Sequence, residues 1–124
     1  MAKIVVADDD ADIRDLVVHK LEQSGHEVVP VGDGASAVAA CRQERPDLAV
    51  LDVMMPGMSG LEACRALRGD PDLAGVRVIL LTARTQEADV AQGRDAGADD
   101  YIAKPFSPRE LASRVAVVLE QSRG

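Results

Sequence analysis

Short apolar runs rich in β-branched residues alternate along this chain with longer segments of mixed polarity. Five runs predict β-strands, at residues 4–7, 27–31, 48–51, 76–81 and 101–103. Four of them are almost continuously apolar, which is typical of parallel strands that are covered on both faces of a sheet. The pattern therefore predicts a βα unit repeated five times, with right-handed crossovers that place helices on both faces.

The segments between the predicted strands carry helix signals. The first segment places four apolar side chains on one helical face, which we expect to be buried: Ile13, Leu16, Val17 and Leu21. The later segments each begin after a residue that can cap a helix N-terminus: Asp33, Ser59, Thr85 and Ser107. Ser107 is followed by Pro108 and Glu110, which gives the fifth helix the strongest start signal. We expect this helix to end near Gln121.

The composition fits one compact domain, which we expect to span residues 1–124. The mass is 13.1 kDa, and 47% of the residues are hydrophobic against 28% that are charged, a balance that argues against intrinsic disorder. The net charge of −7 disfavours direct binding to nucleic-acid phosphates. The only aromatic residues are Tyr101 and Phe106, so a base-stacking platform for single strands is excluded.

The sequence also limits the compartment. No apolar stretch approaches the length of a membrane span, and the first predicted strand begins too early to leave room for a signal peptide. We therefore expect a cytoplasmic protein that does not bind membranes. Cys41 and Cys64 lack metal-ligand spacing and are expected to be buried thiols in a reducing compartment. His19 and His26 lack ligand spacing too, and we expect both at the surface.

Polar side chains stand where four of the predicted strands end. Asp8 and Asp9 follow the first strand, Asp52 follows the third, Thr82 the fourth and Lys104 the fifth. The carboxyl ends of parallel strands meet at one edge of an α/β sheet, which is where ligands bind in such folds. We therefore expect these five side chains to form one site.

The residue types indicate the chemistry of that site. Three carboxylates at one edge repel each other, so a cation is expected among them. A set of oxygen ligands without His or Cys favours a hard ion, Mg²⁺ with Mn²⁺ as the alternative. Lys104 and Thr82 would suit a phosphoryl group beside that metal. Asp52 stands alone on its strand and is the best candidate nucleophile, since an aspartyl phosphate is a known covalent form.

Four blocks of sequence resemble the receiver domain of bacterial two-component response regulators. They lie at residues 4–10 (IVVADDD), 51–60 (LDVMMPGMSG), 80–83 (LLTA) and 97–106 (GADDYIAKPF), in the family's order and spacing. The resemblance covers residues 3–121. It implies a flavodoxin-like (βα)5 fold whose five-stranded parallel sheet has the order 2-1-3-4-5.

The resemblance also implies roles for individual residues. Asp52 would accept a phosphoryl group from the phosphohistidine of a sensor histidine kinase or a phosphotransfer protein. Mg²⁺ would be held by the side chains of Asp8, Asp9 and Asp52 and by the main-chain carbonyl of Met54. Lys104 would pair with the phosphoryl oxygens, next to a cis bond to Pro105. The domain would be a regulatory phosphoacceptor rather than an enzyme, although it assists its own phosphorylation and slow dephosphorylation.

The output of such a domain would be a change of surface. By resemblance, Thr82 turns toward the phosphoryl group and Tyr101 moves inward, which remodels the face formed by the fourth helix, the fifth strand and the fifth helix. That face would contact an output domain or protein. A homodimer that forms on phosphorylation is partly indicated by the charged residues on that face: Asp99, Asp100, Glu110 and Arg114.

Other interpretations of the acidic residues fit less well. An EF-hand loop starting at Asp8 would have Ile13 where glycine is required. A flavin-binding relative would have a phosphate loop rich in Ser, Thr and Gly. A haloacid-dehalogenase-type phosphatase would use Asp8 as its nucleophile, but Asp12 stands where that family expects Thr or Val, and Asp52 would have no role.

Overall fold

Strands and helices alternate along the chain in a computed structural model, which describes residues 2–83, 91–92 and 94–121. The strands are β1 (Lys3–Ala7), β2 (Glu27–Val31), β3 (Leu48–Asp52), β4 (Arg77–Thr82) and β5 (Asp100–Ala103). The helices with described bounds are α1 (Ala11–Gln23), α2 (Gly34–Glu44), α3 (Gly60–Gly69) and the helix Pro108–Glu120, called the final helix below. Residues 91–92 and 94–95 are helical, as predicted for the fourth helix, whereas its predicted cap, Thr85, lies outside the described residues.

The sheet is parallel throughout, and its order is β2-β1-β3-β4-β5, which confirms the predicted fold class. Two strands run one residue further than predicted, so that Asp52 and Thr82 are their last members. The reason is that backbone pairing continues at this edge: the amide of Val53 donates to Leu81 O at 2.8 Å, and the amide of Lys104 donates to Thr82 O at 2.7 Å.

Alternate residues of the central strands fill two separate cores, because successive side chains of a strand point to opposite faces. On one face Val78 and Leu80 of β4 pack with α2 and α3. On the other face Ile79 and Leu81 pack with α1 and the final helix. Both cores are mainly aliphatic and pack against the same sheet, so they hold the strand ends in place. Residues of the loops that follow, such as Asp9, Met54 and Ala83, are exposed to solvent.

The helix ends follow the predicted capping residues. The side chain of Asp33 accepts from the amide of Ser36 at 2.7 Å, and the side chain of Ser107 accepts from the amide of Glu110 at 3.0 Å. Ser59 forms both bonds of a capping box at the start of α3. Among the described residues, none of the helices is long or apolar enough to cross a bilayer.

Two predictions about burial were wrong. Leu16 was expected in the core, but it is 50% exposed, because the buried side of α1 is centred on Val17 and Leu21. His26 was expected at the surface, yet it is half-buried and its Nδ1 accepts from the amide of Ala2 at 3.2 Å. His19 is exposed, and Cys41 and Cys64 are buried free thiols, as predicted.

Candidate functional site

Asp8, Asp9 and Asp52 converge at the carboxyl edge of the sheet. One carboxylate oxygen from each lies within 4.8 Å of the other two. Asp8 is 1% and Asp52 is 4% exposed, whereas Asp9 is open to solvent. The ends of β1 and β3 hold the two buried acids side by side, because these strands are direct neighbours in the sheet.

Lys104 joins the two buried acids. Its Nζ lies 3.2 Å from Asp52 Oδ2 and 3.4 Å from Asp8 Oδ2. The second oxygen of each acid is bound by its own loop: Asp8 Oδ1 accepts from the amide of Asp10 at 3.0 Å, and Asp52 Oδ1 accepts from the amide of Met54 at 3.3 Å. The site is therefore oriented by main-chain donors as well as by the ammonium group.

The loop that follows Asp52 is fitted closely to the strand. The amide of Gly60 donates to Val53 O at 3.0 Å, which closes the loop. A Cβ at Gly60 would lie 2.3 Å from the carbonyl oxygen of Asp52, so only glycine allows this approach. A Cβ at Gly34 would meet Met58 O at 2.2 Å in the same way. Both contacts fix the position of the backbone that carries Asp52 and Met54.

The charges at the site do not balance. Three carboxylates face one ammonium group, which leaves two negative charges in excess. Burial, and after it the charge of Asp8, raises the pKa of Asp52 to about 6, while Lys104 opposes part of this rise. Burial lowers the pKa of Lys104, but Asp52 and Asp8 raise it by more, so the lysine stays protonated. A cluster of carboxylate oxygens with an excess of negative charge is a donor set that fits a hard divalent cation.

Thr82 and Tyr101 lie on the same side of the sheet as α2 and α3. Leu80 pairs in register with Tyr101, and Thr82 is two residues further along β4, so all three point the same way. Thr82 is fully buried at the strand end, while Tyr101 is half-buried on the edge strand and packs against the α2–α3 core. The peptide bond between Lys104 and Pro105 is cis, as the resemblance implied.

The structure adds a contact that the sequence did not predict. The guanidinium of Arg14 donates from Nη1 to the carbonyl oxygen of Asp8 at 2.8 Å and so holds the backbone behind the acidic pair. Arg14 belongs to the first turn of α1, directly after the acidic residues, and this proximity is the only signal that could have indicated its role.

Two acids of the predicted dimer face, Asp99 and Asp100, are paired within the chain. Asp100 accepts two hydrogen bonds from Arg114, at 2.6 and 2.7 Å. Asp99 accepts from Arg68 at 3.0 Å and from the amide of Val78 at 2.8 Å. The homodimer stays a prediction, with both carboxylates held by their own chain.

Comparison with known proteins decides the family. The family model described as "Response regulator receiver domain" matches residues 4–116. The chain belongs to this family. Among curated proteins, the receiver is 45% identical over 120 residues to the DNA-binding response regulator MtrA of Mycolicibacterium paratuberculosis, covering 97% of this chain and 52% of that protein. It is 42% identical over 119 residues to the phosphate regulon regulator PhoB of Pseudomonas aeruginosa, covering 96% of this chain and 52% of that protein.

Solved structures of receivers match over nearly the whole of both chains. The chemotaxis protein CheY4 of Vibrio cholerae superposes with a TM-score of 0.90 at 34% identity, covering 95% of this chain and 98% of that one. The BeF3-activated DrrB receiver domain gives a TM-score of 0.87 at 40% identity, covering 98% and 99% of the two chains. The chain thus covers 98–99% of these two receiver structures but only about half the length of the curated regulators.

The raised pKa of Asp52 predicts a stability effect in buffer without Mg²⁺. A carboxylate with a higher pKa in the folded than in the unfolded state destabilises the fold when it is ionised. Asp52→Asn should therefore raise the free energy of unfolding by about 1–3 kcal/mol above about pH 7. The difference between variant and wild type should shrink as the pH falls through about 6 and vanish below about 4, where both states of the wild type are protonated.

Urea unfolding at several pH values measures this difference. Asp15→Asn, which removes an exposed carboxylate on α1, is the matched control and should change the stability little at any pH. An Asp52→Asn protein no more stable than the wild type near neutral pH would contradict the electrostatic description of the site.

Proposed function

We propose that this receiver is the phosphoacceptor switch of a two-component phosphorelay and that Asp52 carries the phosphoryl group. The observation that supports this most strongly is the pairing of the buried Asp52 carboxylate with Lys104, beside Asp8 and Asp9. Asp52 lies at the end of β3, close to the solvent-exposed Asp9, and the amide of Met54 keeps its carboxylate oriented. We further propose that residues 1–124 form one receiver domain.

In the proposed reaction an Asp52 oxygen attacks the phosphorus of a phosphohistidine. The new O–P bond forms as the N–P bond breaks, and the imidazole nitrogen keeps the electron pair. Lys104 neutralises charge on the phosphoryl oxygens, and the Thr82 hydroxyl donates a hydrogen bond to one of them. Asp8, Asp9, Asp52 and the main-chain carbonyl of Met54 would hold Mg²⁺, or Mn²⁺ in its place. When bound, the ion would offset the repulsion between the carboxylates and the phosphoryl group.

The proposed output begins at Thr82 and Tyr101. Because these side chains share one side of the sheet, a turn of Thr82 toward the phosphoryl group changes the space available to the Tyr101 ring. An amphipathic ring on an edge strand can be stable in a buried or an exposed position. We propose that this movement alters the surface formed by the helix before β5, β5 itself and the final helix, where an output domain or protein would bind.

An apolar groove beside Lys104 suits a phosphodonor protein. It has a volume of about 360 Å³ and lies between α1 and the segment after β5, lined by Ile13, Leu16, Ala83, Lys104, Pro105 and Phe106. Leu16 is half exposed there, whereas Val17, the next residue of α1, is fully buried. Since Lys104 also contacts Asp52, a protein seated in this groove would have its reactive histidine next to the phosphoacceptor.

Replacement of Leu16 should separate protein donors from small ones. With a histidine kinase that phosphorylates the wild type, Leu16→Lys should lower the rate of phosphotransfer by about tenfold or more, because an exposed apolar anchor is lost. Phosphorylation by acetyl phosphate should be unchanged. Val117→Lys is the matched control, since Val117 is 52% exposed in the last turns of the final helix and does not line the groove. Equal effects of Leu16→Lys on both donors would contradict the docking role.

The phosphoacceptor itself is tested by intact mass. With Mg²⁺ and acetyl phosphate the wild type should gain the mass of one phosphoryl group, and Asp52→Asn should gain none. A haloacid-dehalogenase-type phosphatase, which the comparisons do not favour, would instead lose phosphorylation in Asp8→Asn and keep it in Asp52→Asn. A phosphoryl group that survives in Asp52→Asn would therefore overturn the proposal.

A further inference from the structure

Helix α3 reaches from the backbone of the phosphoacceptor to the start of β5. At its first residue, Gly60, the helix lies against the carbonyl oxygen of Asp52 and donates to Val53 O at 3.0 Å. At its other end, Arg68 projects from the last turn toward the turn that precedes β5. The helix therefore touches both the backbone of the site and the turn that leads into β5.

All three nitrogens of the Arg68 guanidinium donate hydrogen bonds. Nε donates to Gly97 O at 2.9 Å, and Nη2 donates to Asp99 Oδ2 at 3.0 Å. Nη1 donates to Val76 O at 2.6 Å and to Ala74 O at 3.3 Å in the loop before β4. One guanidinium thus ties two segments of chain, residues 74–76 and 97–99, to α3, and its planar fork fixes their relative position.

The side chain of Arg68 is closely packed against the turn before β5. A Cβ at Gly97, whose φ is +96°, would lie 2.7 Å from Arg68 Cγ. One turn earlier on α3, Cys64 donates from Sγ to Ala96 O at 3.3 Å. The Arg68 and Asp99 side chains are each 15% exposed, so the loss of either partner would leave a largely desolvated charge unpaired.

The ion pair between Arg68 and Asp99 lies just before Tyr101 in the chain. Asp99 also accepts from the amide of Val78 at the start of β4, and its own amide donates to Val78 O at 2.8 Å. Tyr101 follows two residues later and packs against the same core as Leu67 of α3. Because the start of β5 is tied to α3 and β4, a change at the Thr82 end of the sheet can move the Tyr101 side chain without sliding the whole strand.

We propose that Arg68 is a positioning residue of the switch and that α3 forms a second connection between Asp52 and Tyr101, beside the one through Thr82. This inference rests on the proposed phosphoacceptor function. Arg68 does not contact the reacting atoms. It holds the start of β5 in the register that makes Tyr101 respond to the state of Asp52.

Tyr101 supplies the readout. The chain has one tyrosine and no tryptophan, so intrinsic fluorescence reports on Tyr101 alone. Wild type, Arg68→Met and Arg68→Lys are phosphorylated with Mg²⁺ and acetyl phosphate to the same extent by intact mass, and the fluorescence change is compared. Arg68→Met should reach the same extent of phosphorylation as the wild type, but its Tyr101 fluorescence change should be smaller by roughly threefold or more. Arg68→Lys, which keeps the charge without the forked donors, should lie between the two.

Two further variants separate positioning from general stability. Arg65→Met removes an exposed arginine from the same helix and should keep the full Tyr101 change. Asp99→Asn should match Arg68→Met, and the double variant should be no worse than either single one, since both break one interaction.

The proposal is overturned if folded, phosphorylated Arg68→Met or Arg68→Lys shows the wild-type fluorescence change, or if Arg65→Met loses as much. Circular dichroism at the assay temperature verifies the fold of each variant, and Arg68→Lys decides the outcome if Arg68→Met is unfolded. Failure of the wild type to gain a phosphoryl group is a different result, because it contradicts the proposed function itself.

Discussion

Repulsion between the carboxylates of Asp8, Asp9 and Asp52 is the constraint on which the site depends. Two of these groups are buried at neighbouring strand ends, where water cannot screen them, and a single lysine offsets only part of their charge. A fold that only had to be stable would gain by replacing them with neutral residues. Their presence is therefore best explained by a task that needs a cation and a reactive carboxylate at the same point.

The rest of the domain keeps that unfavourable cluster in place. Two aliphatic cores pack against the central strands, one on each face of the sheet. Asp52 therefore cannot move away from Asp8 without disrupting β1 and β3. Gly60 brings α3 directly against the carbonyl of Asp52, and Arg14 holds the carbonyl of Asp8. The same rigidity allows a local change of charge to affect distant residues, because the packed elements around the site shift together or not at all.

The strands and the convergence of polar residues could be predicted from sequence because both follow from short-range rules. Continuous apolar runs indicate buried strands, and parallel strands place Asp8, Asp52 and Thr82 at one edge. The exposure of Leu16 could not be predicted, because helical periodicity defines a stripe but not which edge of it a neighbouring element leaves open. The bonds from Arg68 to Gly97 and Asp99 could not be predicted either, since they join residues about thirty positions apart whose meeting depends on the packing of α3 against the turn before β5.

The effect of Mg²⁺ on stability tests the central constraint most directly. In urea unfolding near pH 7.5, saturating Mg²⁺ should raise the free energy of unfolding of the wild type by about 1–3 kcal/mol, since the ion binds only the folded cluster. Asp15→Asn should respond like the wild type, whereas Asp52→Asn and Asp9→Asn should respond far less. If Mg²⁺ stabilised Asp52→Asn as much as the wild type, or stabilised neither, the account of a carboxylate cluster built around a cation would be contradicted.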